Sequence, residues 1–153
     1  MEFRIETILL VDDDLDDCRF FEEALKSLNK NIRLFYLHNC DDLSHKVLQI
    51  KPQLIVFDLV LPKKTGVECL AELASSSSYN GTPMIMYTGA SMNPGVESAY
   101  ENGAVLVYQK PHTYNNLVQA IDNLLHLNWL NPQQIYKRFR GKLVDIGSGV
   151  LGD

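Results

Sequence analysis

"TILLVDDDLDD", residues 7–17, joins two kinds of chemistry that seldom adjoin. Ile8, Leu9, Leu10 and Val11 are apolar without alternation, as in a strand buried on both faces. Asp12, Asp13 and Asp14 follow with no spacer, and Asp16 and Asp17 come next. Adjacent carboxylates repel one another and are costly to desolvate. Such a run needs water, a helix start or a cation.

A strand of this kind belongs to a parallel sheet covered by helices, and the rest of the chain has the matching rhythm. Leu15, Cys18, Phe21, Leu25 and Leu28 recur at spacings of three and four, which predicts a helix over 15–29. Strand-like runs follow at 32–38, 54–59, 84–89 and 104–110, separated by helical patterns at 40–50, 66–74, 94–103 and 113–130. Pro94 suits the first turn of its helix, and Gly103 lies just past the end. Right-handed crossovers between five such strands give a doubly wound α/β sandwich, whose sites form at the carboxyl edge of the sheet.

Composition narrows the function classes. The 153 residues are 46% hydrophobic and 22% charged, with a formal net charge of -5. That describes one mildly acidic globular domain and makes nucleic acid an unlikely general partner. No apolar run reaches membrane-spanning length, and "MEFRIET" lacks the features of a signal peptide, so a cytoplasmic protein is expected. Cys18, Cys40 and Cys69 match neither a zinc pattern nor a disulfide framework and are expected to be buried and reduced. His38, His45, His112 and His126 show no ligand spacing.

The polar residues at the ends of the strands are the chemical signal. The first strand ends in Asp12 and Asp13, the third carries Asp58, the fourth ends in Thr88 and the fifth in Lys110 before Pro111. The topology brings all five to one edge. An oxygen-only cluster of three carboxylates suits a hard cation such as Mg²⁺. A lysine and a hydroxyl beside it can hold phosphoryl oxygens, and a carboxylate can act as nucleophile. Asp14 reads as helix-start chemistry, and Asp16 and Asp17 as a solvated helix face.

The ordered set "VDD", "FDLVLPKKTG", "YTGA" and "QKP" resembles the receiver domain of two-component response regulators over about residues 5–128. The resemblance implies a flavodoxin-like (βα)5 fold with strand order 2-1-3-4-5. It implies that Asp58 is the phosphoacceptor and that Asp13, Asp58 and the backbone carbonyl of Val60 ligate Mg²⁺, with Asp12 acting mainly through a water. Thr88 and Lys110 would contact the phosphoryl group. The donor would be a sensor histidine kinase or a histidine phosphotransfer protein, and the output a changed affinity for a downstream protein or a second copy of the chain. The molecule would be a switch with at most self-catalysed phosphorylation and dephosphorylation. Residues 1–130 would form a stand-alone receiver, and 131–153 an extension that is not a separate domain.

One position departs from the family pattern. Val107 stands three residues before Lys110, where the family usually has Tyr or Phe, and alternation points Tyr108 to the other face. Val60 and Ala90 occupy positions that in the family tune water access to the acyl phosphate. Tyr136, Lys137, Arg138, Phe139, Arg140 and Lys142 form a basic stretch, read first as a solvated extension packing a few apolar residues.

Two other functions fit part of the pattern. Haloacid-dehalogenase-type phosphatases use an Asp-x-Asp motif, a hydroxyl and a lysine, which Asp12, Asp14, Thr88 and Lys110 imitate. Asp58 has no place in that scheme. A phosphorylation-independent pseudo-receiver binding module would usually lack one of the five site residues, and this chain keeps them all. A flavodoxin-type phosphate cradle would need Ser, Thr and Gly where this chain is acidic.

Overall fold

The computed structural model describes residues 4–89 and 95–147. The elements alternate as β1 (Thr7–Val11), α1 (Leu15–Ser27), β2 (Arg33–Leu37), α2 (Leu43–Ile50), β3 (Leu54–Asp58) and α3 (Gly66–Ser75). They continue as β4 (Met84–Thr88), α4 (Gly95–Glu101), β5 (Ala104–Gln109), α5 (Tyr114–Leu125), α6 (Pro132–Phe139) and β6 (Leu143–Val144). Pro94 and Ala90 lie outside the described residues.

All strands pair in parallel, in the order β2-β1-β3-β4-β5-β6. The expected order 2-1-3-4-5 is therefore present, but the sheet has a sixth strand. β6 is only two residues long, too short for periodicity to reveal. It forms because Leu143 and Val144 reach the open edge of β5, where they pair with Val107 and Tyr108.

Alternation along the strands sorts two cores. Ile8 and Leu10, Leu54 and Val56, Ile85 and Tyr87, and Leu106 and Tyr108 pack with α1 and α5. Leu9 and Val11, Ile55 and Phe57, Met84 and Met86, and Val107 pack with α2, α3 and α4. Tyr108 thus faces away from Val107, as alternation predicts. Side chains cap the starts of α1, α3 and α5: Asp14 accepts from the N–H groups of Asp16 and Asp17, Thr65 from Glu68, and Thr113 from Asn116.

Residues 132–147 continue these layers. Ile135, Phe139 and Ile146 are buried in the α1–α5 core. Tyr100 ties α4 to this region: its hydroxyl accepts from Val107 N–H at 2.9 Å and donates to the Lys142 carbonyl at 2.6 Å. The basic stretch is therefore divided, with Phe139 inside and Lys137, Arg138, Arg140 and Lys142 exposed. Ile146→Val, which removes one buried methyl group, should lower unfolding free energy by about 1 kcal/mol. Urea denaturation measures this, and an unchanged midpoint would mean that 146 contributes nothing to the core in solution.

The cysteine expectation needs correction. Cys18 is buried and free, but Cys40 and Cys69 form a disulfide with Cα atoms 6.1 Å apart. A separation of 29 residues carries no signal in sequence. The bridge arises because the turn before α2 and the second turn of α3 pack on the same side of the sheet.

Candidate functional site

The carboxyl edge of the sheet assembles the site from strand ends. Asp12, Asp58 and Lys110 share the parity of Leu10, Val56 and Tyr108, so all three emerge on the α1–α5 side. One carboxylate oxygen from each of Asp12, Asp13 and Asp58 lies within 4.8 Å of the others. Asp12 and Asp58 are buried while Asp13 is exposed, so the cluster opens to water on one side. The donors are all oxygens in a compact set, which fits a hard divalent cation that keeps some of its waters.

Lys110 lies between carboxylates. Its ammonium is 2.9 Å from Asp58 Oδ2, 2.7 Å from Asp17 Oδ2 and 3.4 Å from Asp12 Oδ2. Burial acts to lower its pKa, but these three anions outweigh it and hold Lys110 charged well above the usual lysine range. Asp58 shows the opposite balance. Burial pushes its carboxyl up to about 6, even though Lys110 and the Val60 N–H, which donates to Asp58 Oδ1 at 3.0 Å, act to lower it.

Thr88 is buried at the end of β4 on the same edge, and its carbonyl accepts the Lys110 N–H at 2.7 Å. Val60 has an exposed side chain and turns the chain out of the site. Gly66 starts α3 directly against the Asp58 carbonyl: a Cβ there would lie 2.1 Å from the oxygen. This contact and the Gly66 N–H bond to the Leu59 carbonyl at 2.9 Å set the helix against the strand end.

Two residues of the site were not foreseen. Asp17 is not part of a solvated face. It lies in the first turn of α1, half-buried, and the long side chain of Lys110 reaches it; Asp16 does remain exposed. Tyr87 sends its hydroxyl to Asp12 Oδ2 and holds the Lys110 ammonium 4.4 Å above its ring. A signal for Tyr87 existed, because alternation places it, and not Thr88, on the Asp58 side. Cys18 also borders the site, with its Sγ 3.6 Å from the Asp12 carbonyl. Burial foremost, then Asp12, pushes this thiol up to about 12, so it stays protonated and inert.

This arrangement of three clustered aspartates and a lysine shared between them has its counterpart in known proteins. A family model for the response regulator receiver domain matches residues 8–122. The chain belongs to that family.

Among relatives of this receiver, response regulator Rcp1 of Synechocystis sp. is 31% identical over 128 residues, covering 78% of this chain and 86% of Rcp1. The crystal structure of the Mn²⁺-bound form of Rcp1 superposes with a TM-score of 0.65 at 28% identity, covering 80% of this chain and 96% of that one. Chemotaxis response regulator CheY4 of Vibrio cholerae shares the fold, with a TM-score of 0.66 at 20% identity and coverages of 79% and 99%. The receiver spans about half, 52%, of the probable transcriptional regulator ycf29 of Pyropia yezoensis, and its match covers 34% of PdtaR of Mycobacterium tuberculosis.

Receiver domains bind divalent cations at an acidic pocket, and this chain has such a pocket. They work as phosphoacceptor switches and not as turnover enzymes. The phosphatase alternative falls with the family assignment and with the geometry, since Asp14 is occupied in capping α1. Among the described residues, no helix is long and apolar enough to cross a membrane.

Proposed function

We propose that this receiver accepts a phosphoryl group on Asp58 from a phosphohistidine on a sensor histidine kinase or histidine phosphotransfer protein. The observation that carries the reading is the placement of Asp58. Among the described strands it is the one acidic residue, it is buried, and it faces both the acidic pair and Lys110.

A carboxylate oxygen of Asp58 forms a bond to phosphorus as the phosphorus–nitrogen bond of the donor breaks. The electron pair returns to the imidazole nitrogen, which takes up a proton. Asp12, Asp13, Asp58 and the Val60 carbonyl would hold Mg²⁺, which offsets the negative charge gathered on the carboxylates and on the transferring oxygens. The Val60 N–H on Asp58 Oδ1 fixes the orientation of the nucleophile. Lys110 moves its contact from Asp58 Oδ2 to a phosphoryl oxygen, and Thr88 offers a hydroxyl at the same edge. Hydrolysis of the acyl phosphate resets the switch.

The downstream partner is a protein. A homodimer through the faces of the fourth and fifth elements would have to include β6, which already pairs with Val107 and Tyr108. We place the domain in the cytoplasm, where its phosphoryl donors act.

Incubation with acetyl phosphate or phosphoramidate and Mg²⁺, followed by peptide mass analysis, tests the proposal. One phosphoryl group on Asp58 is expected, with none in Asp58→Asn and none after chelation. Label on Asp12, or no label on the folded wild-type protein, would reject it.

A further inference from the structure

We propose that Tyr87 is a positioning residue of phosphoryl transfer, with its hydroxyl fixing the orientation of Asp12 and its ring supporting the ammonium of Lys110. The inference rests on the phosphoacceptor reading above.

Tyr87 is almost fully buried and lies in register with Asp58 on β3 and Tyr108 on β5. Its hydroxyl donates to Asp12 Oδ2, while Asp12 Oδ1 accepts the Asp14 N–H at 2.9 Å. Asp12 is wholly buried, so water cannot replace either donor. With both oxygens engaged, Asp12 is held in one rotamer and its ability to bind a cation directly is reduced, because a carboxylate oxygen already bonded to a donor is a weaker ligand. This leaves direct ligation to Asp13 and Asp58.

The ring acts on the second half of the site. Lys110 has three donors and three carboxylates around it, of which Asp12 Oδ2 is the farthest, at 3.4 Å. The Tyr87 hydroxyl occupies that oxygen, and the ring face attracts the ammonium from below at 4.4 Å. Both effects keep the ammonium next to Asp58, where the phosphoryl oxygens arrive. Without the hydroxyl, Asp12 Oδ2 keeps only the long contact to Lys110 and competes more strongly for that ammonium and for the cation.

Tyr87→Phe keeps the ring and deletes one oxygen, so two opposite changes are expected. Mg²⁺ binding should tighten several-fold as Asp12 Oδ2 is released, and the maximal phosphorylation rate at saturating Mg²⁺ should fall roughly tenfold as Lys110 shifts. A merely structural role would not move the two in opposite directions. A second readout is independent of phosphorylation. Titrating the wild-type protein with Mg²⁺ should produce a near-ultraviolet tyrosine difference spectrum that Tyr108→Phe retains and Tyr87→Phe loses. Unchanged affinity and rate in a Tyr87→Phe protein of wild-type urea stability would overturn the assignment, as would weaker Mg²⁺ binding with an unchanged maximal rate. If wild-type Asp58 takes no label, it is the phosphoacceptor reading that fails; if wild type is labelled and Tyr87→Phe behaves identically, only the present inference fails.

Discussion

Gly66→Ala should lower the unfolding free energy by about 3 kcal/mol, a cost at the upper end for forcing a group into a filled site. Helix propensity alone would favour alanine here by about 1 kcal/mol. Geometry reverses that sign. The added Cβ would stand 2.1 Å from the Asp58 carbonyl oxygen, 2.9 Å from its carbon and 3.0 Å from the Leu59 Cα. All three are backbone atoms of the strand end that carries the proposed nucleophile, so no side chain can swing aside. The helix must retreat or Asp58 must move, and phosphorylation of Asp58 should slow along with the loss of stability. Urea denaturation and mass-detected labelling measure the two effects. Gly89→Ala is the control, because nothing lies within 4 Å of a Cβ at that position; its stability should stay within about 0.5 kcal/mol of wild type. Equal behaviour of the two variants would show that the close approach of α3 to Asp58 is not tight in solution.

The second large effect is a pH-dependent destabilisation localised at Asp58. Burial raises its carboxyl from 3.8 to about 6, against the pull of Lys110. The folded state therefore binds this proton more tightly than the unfolded chain does. The resulting stabilisation is fully present below pH 3.8 and is lost as the pH rises through about 6. In chelator, the stability of wild type relative to Asp58→Asn should fall by about 3 kcal/mol across this window. Comparing the two proteins cancels the titration of the other carboxylates. Above the window, Mg²⁺ should restore wild-type stability and leave Asp58→Asn little changed, because binding to the folded state alone stabilises it. A difference that stays flat with pH would mean that Asp58 ionises in the fold as readily as in the unfolded chain.

These two effects share an origin. Asp58 is held by backbone that cannot yield, in surroundings that disfavour its charge until a cation arrives. The same features prepare an acceptor carboxylate. It is fixed in direction by the Val60 N–H, and its charge is met by Lys110 and would be met further by a cation held with Asp12 and Asp13.

Much of this was legible in the sequence. The apolar runs at 7–11, 54–57 and 84–87 have no polar alternation, and a chain of this length can bury such strands only in a parallel sheet covered on both faces. Once the sheet is parallel, Asp12, Asp13, Asp58, Thr88 and Lys110 must share its carboxyl edge, because each stands at the end of its strand. Local chemistry also assigned Asp14, whose side chain finds the free N–H groups of the helix it begins.

Tertiary structure decided the rest, since which partners those residues meet depends on distances between segments. Asp16 and Asp17 look alike in sequence, but only Asp17 lies within reach of a lysine 93 residues away. Leu143 and Val144 have no strand periodicity of their own and pair only because β5 offers an open edge. Cys40 and Cys69 meet through the packing of α3 beside the turn before α2. Tyr87 reads as one more apolar residue of β4 until the sheet brings it against Asp12 from a strand two places away. Strand alternation settles the face a side chain takes; only packing settles which partner it meets there.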